Sequence, residues 1–296
     1  MPKDELRSEY VVVPQVRAMR ETVYGVKTHY VDGGAGEPIV LVHGGGSYGE
    51  ISWSQTIPGL SPWFHAYALD LIGCGYTDKP AIEYSMQTQV EHLAGFIDAL
   101  NLDQVRVVGN SQGAYVAIKY VLDHPGRVKQ AALIATGTVA TALGISRPED
   151  FPSPPHFDGT RESMRRAVEA LINDPAKITD ELIDARMGQV ALPGYKEAHD
   201  SIGRFRRIVS KDPDQWQVYD VRARLPLLKV PWCLIWGDAD VSAPLNPLGY
   251  AMHEMLPAVP FHVVKGAGHQ VQNDKPEEFN NLLLDFFGAS VAASVG

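Results

Sequence analysis

The chain has 296 residues, 45% hydrophobic and 21% charged, with 27 Gly and 21 Pro, a composition that excludes wholesale disorder and collagen-like or low-complexity fibre. A formal charge of −9 argues against nucleic acid and anionic membrane surfaces as partners. Two cysteines, Cys74 and Cys233, cannot build a disulfide framework or a four-thiolate zinc site. No run approaches the roughly 20 apolar residues of a membrane helix. The charged start Met1-Pro2-Lys3-Asp4-Glu5 has no apolar run behind it, so a cytoplasmic protein without a secretory signal is expected.

In chain order, short apolar runs recur and stop near glycine or aspartate. They are Ile39–Val42, Ala66–Leu69, Val105–Val108, Ala132–Ile134, Cys233–Trp236 and Phe261–Val264. Continuous runs of this length predict strands buried on both faces of a sheet. Between them the spacing turns helical. Ser85 can cap a helix that carries Val90, Leu93, Ala94, Ile97 and Leu100 on one stripe. Pro276 suits a first helical turn, with Glu277 and Glu278 favouring the helix dipole and Phe279, Leu282, Leu283 and Phe286 forming the buried side. Strands alternating with helices predict an α/β fold with a mostly parallel sheet flanked by helices.

The alternation fails between about Thr141 and Leu225. Residues 147–160 are Pro-rich, Met164 to Ile172 have helical spacing, a second helix starts near Thr179, and a third covers Ala198–Val209. An insertion of this length is too long for a loop. The expected organisation is a core of residues 1–140 and 226–296, interrupted by a helical cap over 141–225.

The strongest motif is Gly109-Asn110-Ser111-Gln112-Gly113, placed between a strand and a helical run. A serine there, with glycines two positions away on each side, can occupy a strained turn that exposes its hydroxyl above the sheet edge. Taken alone, the same five residues could be a glycine-rich turn in which Ser111 caps a helix. Upstream, His43-Gly44-Gly45-Gly46 follows the first buried strand. Its glycines let backbone N–H groups approach a ligand. The N–H groups of Gly45 and Gln112 could form an oxyanion hole, with Gly44 and Gly46 beside the substrate.

A nucleophilic serine needs a base, and the base an orienting carboxylate. His269 sits in Gly266-Ala267-Gly268-His269, just past a strand, and Asp240 in Trp236-Gly237-Asp238-Ala239-Asp240, past another. Asp238 is a rival for the acid. Asp240 is preferred because the turn should carry it beyond the strand end towards His269. Asp70, in Asp70-Leu71-Ile72-Gly73-Cys74-Gly75, is expected to bind backbone N–H groups of the glycine turn, and Cys74 to fill space. The chain order Ser111, Asp240, His269 is nucleophile, acid, base.

These motifs together, H-G-G-G, D-x-x-G-x-G, G-N-S-x-G, W-G-x-x-D and G-x-G-H, resemble the α/β-hydrolase superfamily over nearly the whole chain. Within it the chain is most similar to the meta-cleavage product hydrolases, through His43–Gly46, Trp53-Ser54, Gly109-Asn110-Ser111 and the segment Ile178–Arg186. The resemblance implies cofactor-free C–C cleavage of vinylogous diketones derived from ring-opened catechols. It implies no metal, with Asn110 and a cap arginine, Arg186, holding the dienoate end of an anionic aryl or alkyl substrate. The residues agree on Arg186: Leu182, Ile183 and Val190 put it on the apolar face of its helix, where a guanidinium needs an anion or several acceptors. A salt bridge to a core or cap carboxylate is the structural alternative.

The chain departs from the family pattern at Gln270, where Trp usually follows the base, at Gln112 and Ala114, and at Gln55. Gln270 and Gln55 should make the substrate pocket differently polar. Ester or lactone hydrolysis would use the same triad, and a catalytically inactive hydrolase fold could serve as a ligand receptor. The sequence leaves homo-oligomerisation open.

Overall fold

The structure, a computed structural model, describes residues 6–146, 155, 157–209 and 211–289. Most of the Pro-rich stretch expected at 147–160 lies outside the described residues. Eight strands form one sheet: β1 Arg7–Arg17, β2 Thr22–Gly33, β3 Glu37–Val42, β4 Phe64–Leu69, β5 Val105–Asn110, β6 Val128–Ile134, β7 Trp232–Gly237 and β8 Phe261–Val264. Their order is β1-β2-β4-β3-β5-β6-β7-β8. The β1/β2 and β2/β4 pairs are antiparallel, and every pair from β4 to β8 is parallel. All six expected strands are present.

Two strands are not among those expected: β2 has no continuous apolar run, and the run Tyr10–Val13 of β1 is passed over, although it is not buried on both sides, Tyr10 being 47% and Val12 57% exposed. β1 reads mostly exposed, and it pairs only with β2. Pro14 stands in it where the ladder skips a residue, as an edge strand permits.

Successive side chains of β3 feed opposite layers. Val40 and Val42 join one apolar cluster with Leu93, Phe96 and Val116, while Ile39 and Leu41 join the other with Ile235, Phe279 and Leu283. The helices Met86–Ala99 and Gln112–Asp123 cover the first face and Pro276–Phe287 the second. Ser85 caps Met86–Ala99 reciprocally: its Oγ accepts the Thr88 N–H at 3.1 Å and its own N–H donates to Thr88 Oγ1 at 3.3 Å. Pro276 stands at the start of its helix, and Gly288, with φ +72°, ends it.

Between β6 and β7 the described residues contain helices and no strand. The helices are Gly137–Ala142, Arg161–Glu169, Asp180–Val190, Tyr195–Ile208 and Pro213–Tyr219. Thr160 and Thr179 cap the second and third, Thr179 Oγ1 accepting the Leu182 N–H at 3.2 Å. Met164, Val168, Ile172, Ile178 and Ile183 form a small apolar cluster of their own, whereas Ala198, Ile202 and Phe205 of Tyr195–Ile208 join the main core. The insertion is thus packed internally at one end and bonded to the body at the other. Among the described residues no helix is long and apolar enough to cross a membrane.

Candidate active site

Ser111 lies between β5 and the helix Gln112–Asp123 with φ +55° and ψ −116°. A non-glycine residue is strained there, at a cost of about 1–3 kcal/mol. The backbone is pinned in return: the Ser111 N–H donates to the Ile134 carbonyl at 2.8 Å, and its carbonyl accepts Thr138 Oγ1 at 2.8 Å. Both flanking glycines are required by packing. A Cβ on Gly109 would lie 2.3 Å from the Gly113 carbonyl oxygen, and one on Gly113 would lie 2.3 Å from that of Val42.

The loop after β3 rests on this turn. A Cβ on Gly44 would meet Asn110 Oδ1 at 3.1 Å and Ser111 Cβ at 3.3 Å. Gly45 is the exposed tip, Gly46 has φ +68°, and Gln112 is buried at the first turn of its helix. His43 braces the loop from below. Its Nδ1–H donates to the Gly44 carbonyl at 2.8 Å and its Nε2 accepts the Leu71 N–H at 3.0 Å. Both bonds suit a neutral ring, and burial lowers its pKa.

Opposite, His269 follows β8. Its Nδ1 bonds Asp240 Oδ2 at 2.8 Å, and Asp240 Oδ1 accepts the N–H groups of Ser242 and Ala243 at 2.8 Å each. A carboxylate so held can only accept, so the proton sits on Nδ1 and Nε2 keeps a lone pair. Asp238, the rival acid, instead accepts the Gly266 N–H at 2.6 Å. No hydrogen bond joins Ser111 Oγ to His269 among the described residues. Asn110 links the two loops, its Nδ2 donating to the His269 carbonyl at 3.0 Å. That amide is therefore engaged with the protein, while Asn110 Oδ1 is buried without a partner.

Arg186 comes from the helix Asp180–Val190 and is 4% exposed. Its Nη1 donates to the Gly46 carbonyl at 3.1 Å and its Nη2 to Gln270 Oε1 at 3.4 Å, and Nε has no partner. No carboxylate pairs with it among the described residues, so the salt-bridge alternative is not realised. Desolvation lowers its pKa to about 10, against the pull of the nearby phenols Tyr195 and Tyr48.

Asp70 accepts the Gly49 N–H at 2.7 Å and the Tyr76 N–H at 2.8 Å, and bonds His29 Nδ1 at 2.8 Å. It braces the loops, and Cys74 is buried beside it in the turn. Gln55 has one clear placement. It is exposed, at the junction of the short helices Gly49–Trp53 and Thr56–Leu60, whose inward sides carry Trp53, Thr56 and Ile57.

Sequence reasoning missed Asp274. Its Oδ2 accepts the N–H groups of Gly268 at 2.7 Å and Asn173 at 3.0 Å, and its Oδ1 that of Asp174 at 2.8 Å. It also missed Gln189, whose Nε2 donates to the Ser47 carbonyl at 3.1 Å. Both tie the insertion to the loops around Ser111 and His269. Only their partners, a hundred or more residues away, reveal that role.

The α/β-hydrolase fold model matches residues 37–175. The chain is 30% identical over 265 residues to the 2-hydroxy-6-oxo-6-(2'-aminophenyl)hexa-2,4-dienoic acid hydrolase of Metapseudomonas resinovorans, covering 88% of each. A crystal structure of a serine hydrolase involved in carbazole degradation superposes with TM-score 0.77 at 26% identity, covering 96% of this chain and all of that one. An N-acyl homoserine lactone degrading enzyme gives TM-score 0.70 at 26% identity, covering 92% of this chain and all of that one. The chain belongs to the α/β-hydrolase superfamily and, within it, to the meta-cleavage product hydrolases. It is a hydrolytic enzyme.

Proposed function

We propose that this enzyme hydrolyses a C–C bond in an anionic vinylogous diketone, a meta-ring-fission product. Ser111 attacks the carbonyl or activates water, His269 is the general base and then the acid, and Asp240 fixes its tautomer. The N–H groups of Gly45 and Gln112 receive the oxyanion. The helices over 141–225 act as the cap. The observation that carries the reading is Arg186, buried beside the glycine loop and the base loop with no carboxylate partner among the described residues. A buried cation with spare donors suits a substrate carboxylate or dienolate.

In this reading the bound dienol first shifts to its keto form, so that the departing carbon leaves as a stabilised enolate. Addition at the carbonyl then precedes cleavage, and His269 returns the proton to the leaving carbon. Asn110 contributes chiefly by holding His269 near Ser111, because its amide N–H is taken, and its unpaired Oδ1 can accept a hydrogen bond from substrate. Gln270 lines the wall beside Arg186.

Mixing the enzyme with a coloured meta-cleavage product should give decay of its absorbance through a transient shifted band. Ser111→Ala should form that species and stall before cleavage. The likeness to a lactone-degrading enzyme supports a second reading, lactone or ester hydrolysis with the same triad. If p-nitrophenyl acetate or a lactone turns over with far higher kcat/KM than every diketone tried, the second reading replaces the first.

A further inference from the structure

Gln270 is 2% exposed and directly follows His269, and its backbone N–H donates to the Leu171 carbonyl at 2.9 Å. Its side-chain oxygen is the only side-chain acceptor bonded to Arg186 among the described residues. A guanidinium has five N–H donors, and here one meets the Gly46 carbonyl, one meets Gln270 at a long 3.4 Å, and Nε meets nothing. A glutamate at this position would neutralise Arg186 permanently, and an apolar residue would leave it one bond poorer. An amide does neither, because it offers a dipole and no charge.

We propose that Gln270 keeps Arg186 available to anionic substrates, contacting it with a neutral oxygen that a substrate carboxylate displaces in place of a charge that would compete with it. A carboxylate forms charge-assisted, often bidentate bonds with guanidinium, roughly twice as strong as those of a neutral acceptor. Exchange of the amide oxygen for a carboxylate is therefore downhill, and a neutral substrate gains nothing from it. Discrimination between anionic and neutral substrates then depends on a residue at position 270 that leaves Arg186 uncompensated, apart from the hydrolytic residues. The inference rests on the reading above only in taking the Ser111 site as the place where substrate binds.

The test is calorimetric titration of the full-length protein with benzoate, which requires no turnover. Gln270→Glu should weaken benzoate binding by at least about tenfold. Gln270→Met, close in volume and lacking the acceptor, should stay within about fivefold of the wild type. In the Glu variant, the loss of kcat/KM for an anionic diketone should exceed the loss for p-nitrophenyl acetate by at least about tenfold. A smaller effect of Glu, a larger loss with Met, or no saturable benzoate binding to the wild type would overturn the proposal. Loss of the hydrolytic reading alone would look different: the benzoate pattern would hold while no Ser111-dependent turnover was found.

Discussion

At the residue scale, Ser111, His269 and Asp240 are drawn from three loops, and the proposed function makes them one unit. Ser111→Ala and His269→Ala are each expected to lower kcat by about 10³-fold or more, with the double variant little worse than either, because a relay that has lost one member has already lost its proton path. Multiplying losses would count against a single unit. Asp240→Asn should cost about 10³–10⁴-fold by favouring the wrong tautomer. Asp238→Asn should be mild, since its carboxylate serves the Gly266 N–H. Arg186→Gln should raise KM or lower kcat for anionic substrates at least about tenfold while the thermal midpoint holds or rises, because removing a desolvated, unpaired cation relieves the fold. A large fall in midpoint with unchanged kinetics would make Arg186 structural.

At the scale of elements, the docking of the insertion depends on a few polar ties. Asp274 gathers three backbone N–H groups from two separate segments, 173–174 and Gly268. Next to them, Ser242 Oγ donates to the Ala170 carbonyl at 2.7 Å and Gln270 N–H to that of Leu171. Asp274→Asn replaces a charged acceptor by a neutral one and should cost about 1–3 kcal/mol. The loosened tie should appear as faster amide exchange over 170–175 and a higher KM. Unaltered exchange there would mean that the apolar cluster around Val168 and Ile183 protects this segment without the Asp274 tie. The helix Tyr195–Ile208 behaves differently, because its Ala198, Ile202 and Phe205 are part of the main core.

At the scale of the whole molecule, two buried histidines link the fold to pH. His92 is fully buried, its Nδ1 accepting the Ile72 N–H at 3.1 Å and its Nε2 bonded to Thr28 Oγ1 at 2.8 Å. Desolvation, with a smaller contribution from nearby His43, lowers its pKa to about 3. His43 is shifted in the same direction. Both folded values lie below the unfolded value of about 6.5, so the unfolded chain binds the protons first. The contribution of His92 is therefore full above about pH 6.5 and is lost as pH drops towards 3, by about 1.4 kcal/mol per pH unit, and His43 acts in the same direction. Urea midpoints measured from pH 7 to pH 4.5 should show this decline, and His92→Gln should reduce its slope by about one proton. An unchanged slope would place the acid lability elsewhere.

The sequence by itself determined the buried parallel strands, the capped helices and the chain order of Ser111, Asp240 and His269. These are local matters: a run such as Ile39–Val42 can satisfy itself only in the middle of a sheet, and a serine two residues from glycine on each side marks a tight turn. Only the tertiary structure decided matters that depend on partners distant in the chain. β1 and β2 acquire their place by antiparallel pairing at one end of the sheet, where the run Tyr10–Val13 stays partly exposed and β2 lacks a continuous apolar run. Asp240 was distinguished from Asp238 by which carboxylate meets a ring 29 residues on. Helix packing turned Gln55 towards solvent, and Asp274 joined the loops through bonds spanning about a hundred residues. Arg186 shows both halves of the division. Its place on an apolar helix face was readable from spacing, but the absence of any carboxylate beside it among the described residues depends on what the rest of the chain brings there.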